Sequence, residues 1–164
     1  MSFNGYANPV SAKTRLRKAL VYNFKKIKKS NGYNNDIGDV WEDFVDATRI
    51  NNWPAVVIIP GSEKVLNTDM SDDLLHKELL VSGIAYLREA GDSHLAREEF
   101  LADIETMIGN QYTLQDEAGD ETCLVSWFSG QTPFGKVDNK PMVGFRFGIT
   151  VRYRQDINDA SVLS

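Results

Sequence analysis

Between Met142 and Arg154 every second residue is apolar: Val143, Phe145, Phe147, Ile149, Val151 and Tyr153. Gly144, Arg146, Gly148, Thr150, Arg152 and Arg154 fill the intervening places. Successive side chains of a β-strand point to opposite faces, so this alternation predicts a strand with one apolar face and one cationic, glycine-rich face. A helix would scatter the same apolar residues around its circumference. A strand with one such face needs a hydrophobic layer to lie on, and that limits the folds available to the rest of the chain.

The chain has 164 residues, enough for one domain with a real core. A single cysteine, Cys123, excludes a disulfide within the chain and a multi-cysteine metal site. The longest aliphatic run, Ala55 to Ile59, is far too short to span a membrane, and no charged stretch leads into an apolar one at the start. A soluble protein made in the cytoplasm is the expectation. The net charge of -5 conceals an asymmetry, because residues 1–30 hold eight Lys or Arg and no acid. Such a chain can set its basic end against the acidic body of another copy, or against nucleic acid.

Residues 1–12 read as a flexible arm, 13–156 as one domain and 157–164 as a loose tail. Ser11 is a suitable helix cap. Leu16, Leu20, Phe24 and Ile27 then predict a helix running to about Lys29 and stopping at Gly32. Arg15, Lys18 and Lys25 lie on its basic flanks. Val40, Trp41, Phe44 and Val45 suggest a short amphipathic helix or an irregular segment beneath it. Ala55 to Ile59 reads as a buried strand closed by Pro60-Gly61, with Glu63 to Asn67 returning across the turn. Lys77 to Arg88 reads as a strand, with a helix as the competing reading because Leu, Lys and Glu also favour helices. A second helix begins at Asp92 or Ser93 and ends at Gly109. Tyr112 to Leu114 and Thr122 to Ser129 read as a hairpin with an acidic tip at Asp116, Glu117, Asp120 and Glu121. Gly130 to Pro141 reads as a loop. The order of elements suits an α+β fold, a mainly antiparallel sheet with two principal helices on one face.

No catalytic, cofactor-binding or metal-binding set emerges. Gly130 to Lys136 follows a phosphate-loop pattern, but Val137 stands where a Ser or Thr must hold magnesium, and a strand follows where a helix should open. His76 and His94 lack a histidine at ligand spacing, although His94 and Glu98 share a helical face. The acidic tip lacks the calcium-loop order. Cys123 reads as a core residue. The residues that invite partners are Arg15, Lys18 and Lys25, Asp116 and Glu117, and the arginines of the last strand, Arg146, Arg152 and Arg154.

The ordered set Asn31-Gly32-Tyr33, Asp36-Ile37, Trp53-Pro54-Ala55-Val56, Pro60-Gly61-Ser62-Glu63, Leu101-Ala102-Asp103-Ile104-Glu105 and Val151-Arg152-Tyr153 resembles the tail terminator (tail completion) proteins of long-tailed bacteriophages. The resemblance covers most of residues 13–154. It implies an α+β subunit assembling as a hexameric ring at the neck end of the virion tail. Such a ring caps the tail tube, halts its polymerisation and meets the head–tail connector, with the sheath as a further partner in contractile tails. DNA passes through it without sequence-specific binding. The family has no cofactor and no catalytic residues to carry over. The rival readings are another neck protein, a nucleic-acid-binding module built on the basic helix and the three arginines, and a small enzyme with an unrecognised carboxylate site.

Overall fold

In the computed structural model the described residues are 11–43, 45–67, 74–89, 91–136 and 141–156, so residues 1–10 of the expected arm, the expected tail and Phe44 lie outside them. The elements are α1 (Ala12–Phe24), β1 (Asp39–Trp41), β2 (Ala55–Asn67), β3 (Leu74–Arg88), α2 (Ser93–Asn110), β4 (Val125–Phe134) and β5 (Met142–Asp156). The strands form one five-stranded sheet in the order β1-β2-β3-β5-β4, antiparallel except for the β1–β2 pair. The fold is α+β, as expected.

The alternation on β5 places its side chains as predicted. Val143, Phe145, Phe147, Ile149, Val151 and Tyr153 are all buried. In register, Phe145 faces Ala85, Phe147 faces Gly83 and Ile149 faces Val81, and β2 adds Val56 and Ile58 to the same layer. Both helices pack on this face: Phe24 of α1 lies 6.0 Å from Phe147, and Phe100 of α2 lies 6.2 Å from Phe145, centroid to centroid. Gly83 is required under Phe147, because a Cβ there would run into the Phe147 ring.

Several elements differ from the sequence reading, each for a local reason. Ser11 caps α1 through the Thr14 N–H, and Ala12 is fully buried, so both belong to the fold and not to the arm. α1 stops at Phe24, short of Lys29. The Ile27 carbonyl accepts from the Ile37 N–H at 2.9 Å, and the Lys28 Nζ donates to the Ile37 carbonyl at 2.7 Å. These bonds take the chain out of the helix while Ile27 keeps a buried place that mimics helical spacing. Gly32 is left-handed (φ 91°), but it closes the short 3-10 turn Lys29–Asn31.

Val40 and Trp41 lie in β1, a three-residue edge strand, instead of a helix. β2 continues through Pro60-Gly61 without turning back. Gly61 and Ser62 bulge opposite Leu80, where a proline's missing N–H is tolerated. α2 is capped by Asp92 through the Leu95 N–H and runs past Gly109 to Asn110. The expected acidic hairpin keeps one β-bridge, Gln115 with Glu121, and backbone bonds from Thr122, Cys123 and Ser126 to Tyr112 and Thr113, while β4 pairs with β5. Gly130 to Phe134 belong to β4 and are not loop. This sets the first five residues of the phosphate-loop pattern in a strand, away from any helix start. No helix among the described residues is long and apolar enough to cross a membrane.

Candidate functional site

Among the described residues, the second face of the sheet carries no helix. On it, Leu80, Ser82, Arg146 and Arg152 are exposed, and Ile84, Tyr86, Trp127 and Phe134 are half-buried. The three expected arginines sit here, because Arg146, Arg152 and Arg154 occupy even positions of a strand whose odd positions enter the core. They do not form an equivalent row. Arg146 and Arg152 are six positions apart, about 20 Å along a strand. Arg152 is engaged: its Nε lies 3.0 Å from Glu78 Oε2, and its guanidinium carbon 5.3 Å from the Trp127 ring centroid. Glu78 also meets Lys64 at 3.3 Å. The cross-strand register makes this cluster, since Glu78 pairs with both Arg152 and Lys64. The hydrogen bond from Arg152 holds the Glu78 carboxyl below the usual range, against an opposing effect of desolvation, and Lys64 assists. Arg154 lies opposite His76. Arg146 lies opposite Ile84 and Thr132. Burial raises the pKa of the Tyr86 hydroxyl above its ordinary value, and Arg146 offsets part of that rise.

A second site joins four of the expected residues. Arg15 and Lys18, with Ala19 and Tyr22, form one wall of a groove of about 320 Å³. Asp116, Glu117 and Ala118 form the other. The Asn23 side-chain amide fastens the walls, donating to the Ala19 carbonyl at 2.8 Å and the Gln115 carbonyl at 2.9 Å. Asp116 also shapes its own turn by accepting from the Asp120 N–H at 2.9 Å. Basic helix and acidic tip therefore meet inside one subunit, where composition alone suggested a meeting between copies. Lys25 lies past the end of α1 and does not line this groove.

Most other cations of the basic segment have partners within the subunit. Lys13 donates to the Gly61 carbonyl at 3.1 Å and stands 3.9 Å from Glu63. Arg17 pairs with Glu42 at 3.6 Å, and Lys26 lies 4.2 Å above the Tyr22 ring.

Two buried polar devices escaped the sequence reading. Asp103, 2% exposed, accepts from the Asn34 N–H, the Asn35 N–H and the Asn35 side-chain amide, and so pins the loop after Gly32 to α2. Its place on the stripe of Phe100, Ile104 and Met107 was the available signal: a carboxylate among buried positions needs donors. Tyr153 donates its hydroxyl to Glu63 at the rim of the core. Burial first, and then Glu63, push the Tyr153 hydroxyl well above its ordinary value. Cys123 is buried just before β4, and burial together with Glu121 pushes its thiol up to about 12, so it is protonated and unreactive near neutrality.

A third groove, unforeseen, runs between α2 and β4. His94, Arg97, Glu98 and Leu101 face Gln131 and Pro133, with Phe145 at the floor. Arg97 donates to the Phe134 carbonyl at 3.0 Å and contacts His94 Nδ1 at 3.1 Å, which fixes its guanidinium across one end. All three sites are open surfaces or grooves of the subunit. No protein-family model matches the chain, and no curated protein matches it either.

Proposed function

We propose that this chain is a tail terminator of a long-tailed bacteriophage: a structural subunit that closes into a ring, caps the tail tube at the neck end of the virion and presents the surface to which the head–tail connector attaches. The sheet face without helices carries the argument. Exposed Leu80, Arg146 and Arg152 beside half-buried Trp127 and Phe134 make a surface rich in the residue types that anchor protein contacts. The resemblance of the short motifs along residues 13–154 supports this family, and the α+β architecture is compatible with it. The ring has six copies in this reading, and DNA passes through it without base-specific contact.

The disposition of the cations favours this reading over a nucleic-acid-binding module. A DNA-binding surface presents unpaired cations to phosphates. Here Lys13, Arg17, Lys28 and Arg152 are engaged within the subunit, and Arg15 and Lys18 face Asp116 and Glu117 across a groove. Light scattering and negative-stain imaging of the purified chain test the proposal. A ring that persists without DNA and at high salt, and that decorates the ends of purified tail tubes, is the expected result. A protein that stays monomeric at high concentration and binds DNA with a steep salt dependence would overturn it.

A further inference from the structure

We propose that the outer edge of β4 and the α2–β4 groove form a docking site for the ten residues before Ser11 of a neighbouring copy, which add there as a short extended segment. The inference rests on the reading that the chain assembles with itself.

β4 is the last strand of the sheet, with no strand beyond it among the described residues. The ends of its edge are occupied. The Ser126 N–H donates to the Tyr112 carbonyl at 2.7 Å, and the Phe134 carbonyl accepts from Arg97. Between them Ser129 to Pro133 are exposed. Exposed edges normally carry charge, lysine above all, to discourage pairing with other chains. Val125 to Phe134 holds no charged residue, in a chain that is 25% charged. The bulge at Phe128/Gly130 and the proline at 133 limit what can pair here. They suit a short segment and disfavour a second full-length strand.

The groove supplies the specificity. Strand addition draws affinity from the main chain and selectivity from pockets that take alternate side chains. At about 170 Å³ the groove compares with cavities of about 150 Å³ known to admit a benzene ring. Leu101, Pro133 and Phe145 supply its apolar part, beside His94, Arg97, Glu98 and Gln131.

The segment Met-Ser-Phe-Asn-Gly-Tyr-Ala-Asn-Pro-Val matches this site in chemistry. It has no charged side chain, and it offers Phe3 and Tyr6. Residues 157–164 match less well, since they include Asp159. The root of the arm lies on the β2 side of the sheet, where Lys13 bonds to Gly61. The receiving edge lies on the β4 side, three strands away. A donor at one end of the subunit and an acceptor at the other make a head-to-tail contact, the kind that closes rings. Ten extended residues reach about 33 Å.

Hydrogen exchange and light scattering on the full-length chain test this. Three proteins are compared: the wild type, the double variant Phe3→Asp/Tyr6→Asp, and Gln131→Lys at an exposed position of β4. In the assembled wild type, amides of residues 127–132 should exchange at least about tenfold more slowly than in either variant, and the mass of the assembly should fall in both. Adding a synthetic peptide of residues 1–10 to the arm variant should restore the protection. Variants that keep the wild-type mass and β4 protection would overturn the arm contact while leaving a ring intact. A wild-type chain that stays monomeric would instead overturn self-assembly, and the neighbour's arm with it.

Discussion

Phe145 and Arg146 are adjacent on β5, yet Phe145 is 1% exposed beneath α2 while Arg146 stands in solvent on the face without helices. The same contrast holds across the sheet. One face is closed by α1 and α2 through Phe24, Phe100, Phe145 and Phe147; the other keeps Leu80, Trp127 and Arg152 within reach of a partner. The first face stabilises the subunit, and the second is the one proposed for contact. Substitutions one residue apart should therefore affect different properties. Phe145→Ala should cost about 3–5 kcal/mol of folding stability, read as a shift in the urea midpoint at constant slope. Arg146→Ala should cost within about 0.5 kcal/mol and reduce assembly instead. Equal losses of stability from the two would break the comparison.

Asp103 sharpens it, because it shows that the helix-covered side also depends on a buried polar contact. Asp103→Ala leaves the Asn34 and Asn35 amides without their acceptor. The expected loss is about 1–3 kcal/mol by chemical denaturation. Faster exchange at the Asn34 and Asn35 amides, with β5 amides unchanged, would locate the effect in the loop.

How much of this was legible in the sequence depends on how many sides of an element are buried. β5 was legible because its two faces have opposite chemistries and the period of two is unbroken. α2 was legible through its stripe and its Asp92 cap. β4 beyond Phe128 was not, because an edge strand exposed at Ser129 to Pro133 carries no alternation and its Gly130 and Pro133 imitate a turn. β1 was hidden because three residues are too short for any period. The end of α1 was missed because Ile27 stays buried at helical spacing after the backbone has left the helix. For the site, composition revealed opposite charges but not where they meet. Arg15 and Lys18 face Asp116 and Glu117 only because Asn23 bonds to Gln115, a contact across 92 positions that no local pattern encodes.

Tyr153 extends the comparison to high pH. Its folded-state value is raised above the ordinary 10.0 by burial and Glu63. Below about pH 10 the hydroxyl is neutral in both states and the stabilisation is complete. Above that, the unfolded chain loses the proton first, so stability falls as pH rises toward the folded value. Urea midpoints measured from pH 8 to 11 should decline more steeply in the wild type than in Tyr153→Phe. Parallel declines would remove Tyr153 from the account of the rim.

The smallest effect belongs to the Arg152–Glu78–Lys64 cluster on the face without helices. Glu78 has a depressed folded-state value, so any stability it confers is present above the ordinary carboxylate range and disappears as pH falls through the folded value. Its partners Lys64 and Arg152 are solvent-exposed although Glu78 itself is half-buried, and pairs with exposed cations contribute little to folding. Glu78→Gln should therefore leave the urea midpoint at pH 7 close to that of the wild type and flatten the dependence below pH 5. Its larger consequence should be for assembly. The substitution removes the negative charge shared by Arg152 and Lys64, which changes the charge offered to any neighbour. A Glu78→Gln protein as destabilised at pH 7 as Phe145→Ala would mean that this face supports the fold as much as the helix-covered one, and the division between the two faces would not hold.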